Sequence, residues 1–237
     1  MAKVILFKNN KGGVGKSLLC FWTAHILSTL SKTSDGKNKV LILTSDSQNN
    51  IMQMAGTKSG YSDGLQGYID GGGSDLIRLR EGLFYVPLTS TGIKRTFEPR
   101  FLDVIKNFKN QYDYILIDGS PVLKLDNIFL DVSDKVVIPT FLDNVTTKGM
   151  INLIKEVGVD KVALIVPNRV GRSKMEQEHL NKLKESMEGI GAIITDPIFQ
   201  TTKIMQLTEK SKTIMETKSK QYNEIKQIFA KIVKAVM

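Results

Sequence analysis

Two lysines and three glycines stand together near the start of the chain, in a spacing that suits polyphosphate binding. Residues 11–17, here called the phosphate loop, read Lys-Gly-Gly-Val-Gly-Lys-Ser and come soon after the apolar run 4–7. Glycines let the backbone turn tightly and point its N–H groups at an anion, and the helix that follows adds partial positive charge. In such loops the last lysine reaches the β- and γ-phosphates and the next hydroxyl binds Mg²⁺. The spacing therefore predicts phosphate binding by Lys16 and Mg²⁺ binding by Ser17.

The loop departs from the common pattern G-x-x-x-x-G-K-[ST] at one position, because Asn10 stands where the first glycine belongs, and Lys11 adds a second lysine. This arrangement resembles the deviant Walker A motif of the ParA/MinD family of P-loop ATPases, in which the first lysine reaches the nucleotide of a partner subunit. The resemblance implies an ATPase that uses ATP and Mg²⁺, forms an ATP-dependent homodimer, and is weak alone but stimulated by a partner. The nucleotide-binding residues that it implies are Lys11, Gly12, Gly13, Val14, Gly15, Lys16, Ser17 and Leu18.

A carboxylate follows the second apolar run. Residues 46–50, Asp-Ser-Gln-Asn-Asn, are similar to the D-P-Q-G-N segment of ParA proteins, whose aspartate orients the attacking water and helps to organise the metal shell. Such a group suits phosphoryl transfer, which is catalysed mainly by positioning and charge neutralisation. The alternative for Asp46 is an Asx-type turn cap. The family usually has another aspartate at Thr44 and a proline at Ser47. The catalytic residues that the resemblance implies are Lys11, Lys16 and Asp46.

Two later strand ends carry further candidates. Residues 112–121, Tyr-Asp-Tyr-Ile-Leu-Ile-Asp-Gly-Ser-Pro, resemble the Walker B strand and switch II of the family, which implies that Asp118 binds the metal together with Ser17 and Asp46. An acidic group at the carboxyl end of a central strand faces the ligand crevice of an open α/β sheet. Asn168 ends the last apolar run, where relatives contact adenine, although an asparagine there is as often a simple turn residue.

The distribution of apolar residues predicts an α/β fold with a doubly wound, mainly parallel sheet flanked by helices on both faces. Continuous β-branched and apolar runs, unlike alternating ones, indicate strands covered on both sides. The predicted strands are 4–7, 40–43, 83–86, 114–117, 136–138 and 162–166, and the predicted helices are 16–30, 65–69, 101–108, 146–157 and 174–187. Segments 31–39, 56–64 and 71–73 read as surface loops. We expect one P-loop ATPase domain over 1–237 with a basic helical end at about 201–237.

The charge balance favours a polyanionic partner. The chain has 33 Lys and Arg against 24 Asp and Glu, a net charge of +9, and residues 201–237 hold eight lysines and three glutamates. A ParA-type partition ATPase would use such charge to bind nonspecific double-stranded DNA through phosphate contacts, with a ParB-like adaptor stimulating hydrolysis. The alternative for each DNA-binding candidate is an ordinary solvated surface charge. The candidates are Arg169, Arg172, Lys174, Lys203, Lys210 and Lys212.

The sequence is also compatible with other functions. Apolar residues at helical spacing from Ile225 to Val236, with lysines between them, could form a membrane-binding amphipathic helix of a MinD-like positioning ATPase, or could pack against the sheet, which we favour. Positioning of a protein cargo and a non-hydrolysing nucleotide scaffold are further alternatives.

The single cysteine, Cys20, excludes an intramolecular disulfide and a CxxC site, and no apolar run is long enough to span a membrane. Together with the resemblance to partition ATPases, this predicts a cytoplasmic, nucleoid-associated protein.

Overall fold

A mostly parallel sheet forms the centre of the molecule. The computed structural model describes residues 1–33, 36–90, 97–120, 123–188 and 192–237. In this part of the chain the strands are β1 Lys3–Phe7, β2 Ser31–Thr33, β3 Gly36–Lys37, β4 Val40–Thr44, β5 Ile77–Arg80, β6 Leu83–Val86, β7 Tyr114–Asp118, β8 Lys135–Thr140, β9 Val162–Val170 and β10 Ile198–Phe199.

The order of the strands places β1 near the middle of the eight-stranded sheet. The order is β10-β9-β8-β1-β7-β4-β6-β5, and β2 pairs with β3 in a separate antiparallel hairpin. All pairs in the large sheet are parallel except that between β5 and β6. Because β1 lies between β7 and β8, the segment that follows β1 is flanked by the segments that follow those two strands.

Helices cover both faces of the sheet. They are α1 Lys16–Thr29, α2 Asn50–Ala55, α3 Gly64–Asp70, α4 Phe97–Gln111, α5 Leu123–Val132, α6 Asn144–Val157, α7 Lys174–Glu188, α8 Thr202–Glu209 and α9 Asn223–Val236, with short 3₁₀ turns at 159–161, 214–216 and 220–222. Alternate residues of β1 point to opposite faces: Val4 and Leu6 pack with α4 to α7, whereas Ile5 and Phe7 pack with α1 and α9. This arrangement is the doubly wound α/β fold that the sequence predicts.

The six apolar runs predicted as strands all lie in strands of the sheet. Other parts of the fold differ from the sequence prediction. The segment 31–39 was expected to be a loop, but it contains the β2–β3 hairpin, and its residues 34 and 35 lie outside the described part. Strand β5 was not predicted because its sequence Ile-Arg-Leu-Arg alternates apolar and charged residues over only four positions. Helix α5 was not predicted because it has only 10 residues, which is too few to show a clear helical repeat of apolar positions. Pro121 of the Walker B segment also lies outside the described residues.

The last helix resolves the question of the apolar stripe. Ile228, Phe229, Ile232 and Val236 of α9 are buried in the core layer that also contains α1, and the ring centroids of Phe229 and Trp22 are 5.5 Å apart. The stripe therefore packs against the sheet face, as the favoured alternative predicted. None of the helices in the described part of the chain is long and apolar enough to cross a lipid bilayer.

Candidate phosphate-binding site

The carboxyl ends of three central strands bring the sequence-predicted residues to one edge of the sheet. Phe7, the last residue of β1, pairs with Asp118, the last residue of β7, and Asp118 also pairs with Thr44, the last residue of β4. The phosphate loop follows β1 and Asp46 follows β4, so both leave the sheet beside Asp118. Open α/β sheets bind ligands at this edge.

The backbone of the phosphate loop is shaped for an anion. Gly15 has a φ of 96°, and a Cβ on it would stand 2.2 Å from the Nδ2 atom of Asn168, so only glycine fits. Helix α1 begins at Lys16, and its first turn contains no acidic residue, although acidic side chains normally stabilise a helix N-terminus. A glycine N-cap and a cationic first turn together favour a bound phosphate at this helix end.

The side chain of Lys16 lies inside the loop that it would serve. It is 8% exposed, and its Nζ donates a hydrogen bond to the carbonyl oxygen of Lys11 at 2.9 Å. Asn9 fixes the start of the loop, because its Oδ1 accepts a hydrogen bond from the Lys11 N–H and its Nδ2 donates to the carbonyl of Pro139. Val14 is buried, and the half-buried Leu18 packs on the core. Since a leucine side chain has no hydrogen-bond donor, Leu18 could contact a phosphate only through its backbone N–H.

Lys11 is bonded to residues of its own chain. Its Nζ lies 2.9 Å from Oδ2 of Asp143 and 2.8 Å from Oγ1 of Thr146, and 5.4 Å from the centre of the Phe141 ring. Asp143 caps α6 by accepting a hydrogen bond from the Thr146 N–H. Burial raises the pKa of Asp143, but hydrogen bonds from Thr146 and Lys11 outweigh it and lower the pKa to about 2. The carboxylate is therefore ionised at neutral pH.

Asp118 is the most deeply placed acidic group of the site. It is 2% exposed, and its carbonyl oxygen accepts a hydrogen bond from the Ser45 N–H. The next residue, Gly119, donates its N–H to the carbonyl of Phe7, and a Cβ on Gly119 would stand 2.6 Å from that oxygen. Burial, and secondarily the charge of Asp118, raises the pKa of the Cys20 thiol. Cys20 is therefore a neutral thiol rather than a nucleophile.

Asp46 is half-buried at the mouth of the site. Its Oδ1 accepts a hydrogen bond from the Gln48 N–H, which is an Asx turn, and its Oδ2 lies 3.3 Å from Nδ2 of Asn50. The turn reading of Asp46 is thus correct for this conformation, and the carboxylate still stands beside the strand end where a catalytic role would place it. Asn49 anchors the segment in the left-handed region (φ 48°) and donates to the carbonyl of Leu88.

Asn168 connects the phosphate loop to β9. Its Nδ2 donates to the carbonyl of Val14 at 2.8 Å, and its Oδ1 accepts a hydrogen bond from the Arg169 N–H. A carboxamide can form up to four hydrogen bonds, so these two leave capacity for a base contact. The structure thus assigns Asn168 a positioning role in the loop, and its contact with adenine stays a prediction.

The DNA-binding candidates fall into two groups at opposite ends of α8. The guanidinium of Arg172 lies over the Phe199 ring at 5.2 Å, next to the β9–β10 pair, and Lys203 is the second residue of α8, after the Thr201 cap and Thr202. Exposed Arg169 and Lys174 flank Arg172 in sequence. Lys210 and Lys212 follow the other end of α8, roughly 12 Å away for an eight-residue helix. The six side chains therefore do not form one compact cluster.

The donor set fits Mg²⁺ with a bound polyphosphate. Magnesium is usually bound by one or two carboxylates together with phosphate oxygens and water, not by a protein cage. In the described residues there is no cluster of three or more His, Cys, Asp or Glu side chains that could hold a metal alone. Ser17 and Asp118, at the helix start and the adjacent strand end, are the residues that would hold the ion, and a contribution from Asp46 at the mouth of the site stays a prediction.

Sequence reasoning missed Asp143 and Thr146. Both stand in the loop and first turn after β8, and they meet Lys11 because β8 and β1 are neighbours. The available signal was local: an aspartate three residues before a threonine, ahead of an apolar helical period, is a typical N-cap. That signal identifies the cap but not its contact with Lys11, 132 residues earlier.

Comparisons with known proteins agree on the fold. A family model described as an AAA domain, AAA_31, matches residues 75–164. An uncharacterized protein of Pseudomonas putida is 29% identical over 174 residues, which cover 66% of this chain and 63% of that protein. The chain thus spans somewhat less than two thirds of the length of this curated relative.

Solved structures superpose over nearly the whole chain. McdA of Cyanothece, in complex with ATP, has a TM-score of 0.82 at 16% identity and covers 99% of this chain and 96% of its own. A putative plasmid partition protein of Borrelia burgdorferi bound to AMPPNP has 0.78 at 18%, covering 99% of both chains. The septum site-determining protein MinD of Pyrococcus horikoshii with Mg-ADP has 0.74 at 19%, covering 100% and 96%. These likenesses confirm the doubly wound α/β fold that the sequence predicts.

Proposed function

For a chain with the fold and the deviant phosphate loop of the ParA/MinD-type ATPases, we propose ATP hydrolysis coupled to dimerisation and nonspecific DNA binding, as in a ParA-type partition ATPase. One observation carries the proposal: the phosphate loop, Asp118 and Asp46 meet at the carboxyl ends of β1, β7 and β4. A phosphate-binding helix end beside two strand-end carboxylates is the equipment that γ-phosphoryl transfer needs.

The chain's own residues divide the work of hydrolysis. Lys16, already inside the loop, exchanges its hydrogen bond to the Lys11 carbonyl for the β- and γ-phosphate oxygens of ATP. Ser17 and Asp118 would hold Mg²⁺, which neutralises phosphate charge during transfer. Asp46 orients the attacking water. Gly119 lets the backbone at the end of β7 move in response to the γ-phosphate. Lys11 acts on the nucleotide of a second copy.

Burial of the last helix favours DNA over a membrane as the polyanionic partner. An amphipathic helix that binds lipid must expose its apolar face, but Phe229, Ile232 and Val236 of α9 are in the core. The lysines of the C-terminal segment, residues 201–237, mostly lie on its exposed side. Exposed lysines without an apolar face suit phosphate contacts along a duplex.

The test is binding of the purified protein to a fluorescent nonspecific duplex, measured by anisotropy with ATP-Mg²⁺, with ADP-Mg²⁺ and without nucleotide, across a salt series. We expect binding only with ATP and a steep loss of affinity with salt. Anionic vesicles in the same nucleotide states, measured by co-sedimentation, provide the membrane arm. Binding to vesicles and not to DNA would overturn the partition proposal in favour of a MinD-like one.

Two further outcomes separate the remaining alternatives. ATP turnover without binding to either DNA or vesicles would point to positioning of a protein cargo. Tight ATP binding without turnover under any of these conditions would identify a nucleotide-binding scaffold. If the protein binds DNA only with ATP, we expect a ParB-like adaptor to raise its ATP turnover.

A further inference from the structure

Asp46 stands at the start of a tight turn. The N–H of Asn49 donates to the carbonyl oxygen of Asp46 at 3.1 Å, so Ser47 and Gln48 are the two central residues of a β-turn. Proline at the first central position and glycine at the last position favour the common type I turn. The D-P-Q-G-N segment that residues 46–50 resemble has both, whereas this chain has Ser47 and Asn49 there. This turn therefore lacks the backbone restraint that a proline ring supplies.

The side chain of Asn49 supplies a restraint of a different kind. Asn49 is 5% exposed, and its carboxamide bonds both backbone groups of Leu88: Oδ1 accepts the Leu88 N–H at 2.9 Å, and Nδ2 donates to the Leu88 carbonyl at 2.8 Å. The buried hydroxyl of Tyr85 also donates to Oδ1, at 2.8 Å. We call these three hydrogen bonds the Asn49 anchor. Because Leu88 follows β6 and Asp46 follows β4, its neighbour in the sheet, the anchor joins the Asp46 turn to the end of the adjacent strand.

We propose that Asn49 is a positioning residue for ATP hydrolysis, because its anchor fixes the turn that carries Asp46. The inference rests on the proposed function, in which Asp46 orients the attacking water. The Asp46 carboxylate accepts hydrogen bonds from Gln48 and Asn50 of the same segment, so its position depends on where that segment is fixed. Hydrolysis is sensitive to this position, since a displacement of about 1 Å can slow a reaction about 100-fold. ATP binding depends on the phosphate loop instead.

Asn49→Gly tests the proposal directly. Glycine readily adopts the positive φ of residue 49, 48°, so the variant keeps the backbone and removes the carboxamide. We expect single-turnover hydrolysis of ATP-Mg²⁺ to slow about tenfold, with the ATP affinity measured by titration calorimetry unchanged. Tyr85→Phe removes one hydrogen bond of the anchor and keeps the buried ring, so it should slow hydrolysis about threefold.

Ser211→Gly is the matched control for the backbone. It places glycine at another residue of positive φ, 52°, in the turn after α8, and should change neither hydrolysis nor ATP affinity. A hydrolysis rate of Asn49→Gly equal to that of Ser211→Gly overturns the proposal.

Rescue by proline distinguishes positioning from a merely structural role. Ser47→Pro in the Asn49→Gly background restores the sequence D-P-Q-G-N, and the proline ring fixes φ at the first central position of the turn. We expect this double variant to recover most of the lost hydrolysis rate, although the anchor is still absent. If Ser47→Pro alone is fully active but the double variant is as slow as Asn49→Gly, the loss does not arise from the turn and the proposal is wrong.

Hydrogen exchange tests the anchor without nucleotide. In Asn49→Gly the peptide that contains residues 46–50 should exchange its amide hydrogens several times faster than in the unsubstituted protein, as measured by mass spectrometry. The peptide that contains the phosphate loop should exchange at an unchanged rate. Equal exchange of residues 46–50 in the two proteins would mean that the carboxamide does not fix the turn, and this too overturns the proposal.

Asp46→Ala separates failure of this inference from failure of the proposed function. If Asp46→Ala binds ATP but loses hydrolysis, Asp46 has its proposed role, and the Asn49→Gly result decides the inference alone. If Asp46→Ala hydrolyses ATP at the unsubstituted rate, the role of Asp46 in the proposed function is wrong, and the inference falls with it.

Discussion

The proposed function depends on two sets of lysines, one in the phosphate loop and one in the C-terminal segment. The two regions fix the positions of their lysines by different interactions. In the phosphate loop Lys11 and Lys16 are hydrogen-bonded within a backbone that only glycine can form at Gly15. In the C-terminal segment the lysines stand on α8, on α9 and on the turns between them, and these elements are fixed by buried apolar residues such as Leu207 and Phe229. The loop depends on individual residue types, whereas the segment depends on total charge and on its core.

The largest effect should come from the core of the C-terminal segment. Phe229→Ala removes a fully buried ring that packs on Trp22, so the free energy of unfolding should fall by about 3–5 kcal/mol, measured by urea denaturation. Lys234→Ala, at an exposed position later in the same helix, should change it by less than about 0.5 kcal/mol. A small effect of Phe229→Ala would mean that α9 is not part of the stable core.

Substitution in the phosphate loop should instead separate binding from folding. Lys16→Ala removes the cation that would contact the phosphates, and we expect ATP affinity to fall about 100-fold in titration calorimetry, as for loss of a charge-assisted hydrogen bond. The unfolding midpoint should move little, since the hydrogen bond that Lys16 donates is to a carbonyl of the loop itself. Retained ATP affinity in Lys16→Ala would contradict the assignment of the loop.

Arg80 tests how the C-terminal segment is fixed to the rest of the molecule. Its guanidinium donates to both carboxylate oxygens of Glu216 and to the carbonyls of Ala55, Leu79 and Ser211. Arg80→Ala should lower the free energy of unfolding by about 2 kcal/mol, because these acceptors lose a charged donor, with ATP affinity unchanged. Exposed Arg78 on the same strand is the control, and an equal effect of Arg78→Ala would exclude this explanation.

The smallest effect should come from a single exposed lysine. Lys212→Gln should weaken nonspecific DNA binding about threefold and reduce the slope of log affinity against log salt by about one, equally for different sequences. Lys106→Gln, on α4 at the other face of the sheet, should change neither quantity. A loss of all DNA binding in Lys212→Gln would mean that the segment works like the loop, through one essential residue.

Several features could be predicted from sequence because they depend on neighbours in the chain. The apolar runs of β1, β4, β7 and β9 predict buried strands, and the glycine and lysine spacing predicts the phosphate loop in its place after β1. The hydrogen bonds of Lys11 with Asp143 and Thr146 could not be predicted, because they depend on β8 lying beside β1. Four of the five hydrogen bonds of Arg80 likewise reach residues 25 to 136 positions away in the chain. Contacts of this kind follow from the strand order, which local patterns do not encode.

The two ends of the eight-stranded sheet have a consequence for the protein at high concentration. At one end β10 has only two residues, and at the other β5 is antiparallel, carries Arg78 and Arg80, and shifts register between them. Short, charged and irregular strands at a sheet border resist pairing with a strand from another molecule, which is the usual route to β-aggregation. Self-association by extension of the sheet is thus disfavoured at both borders.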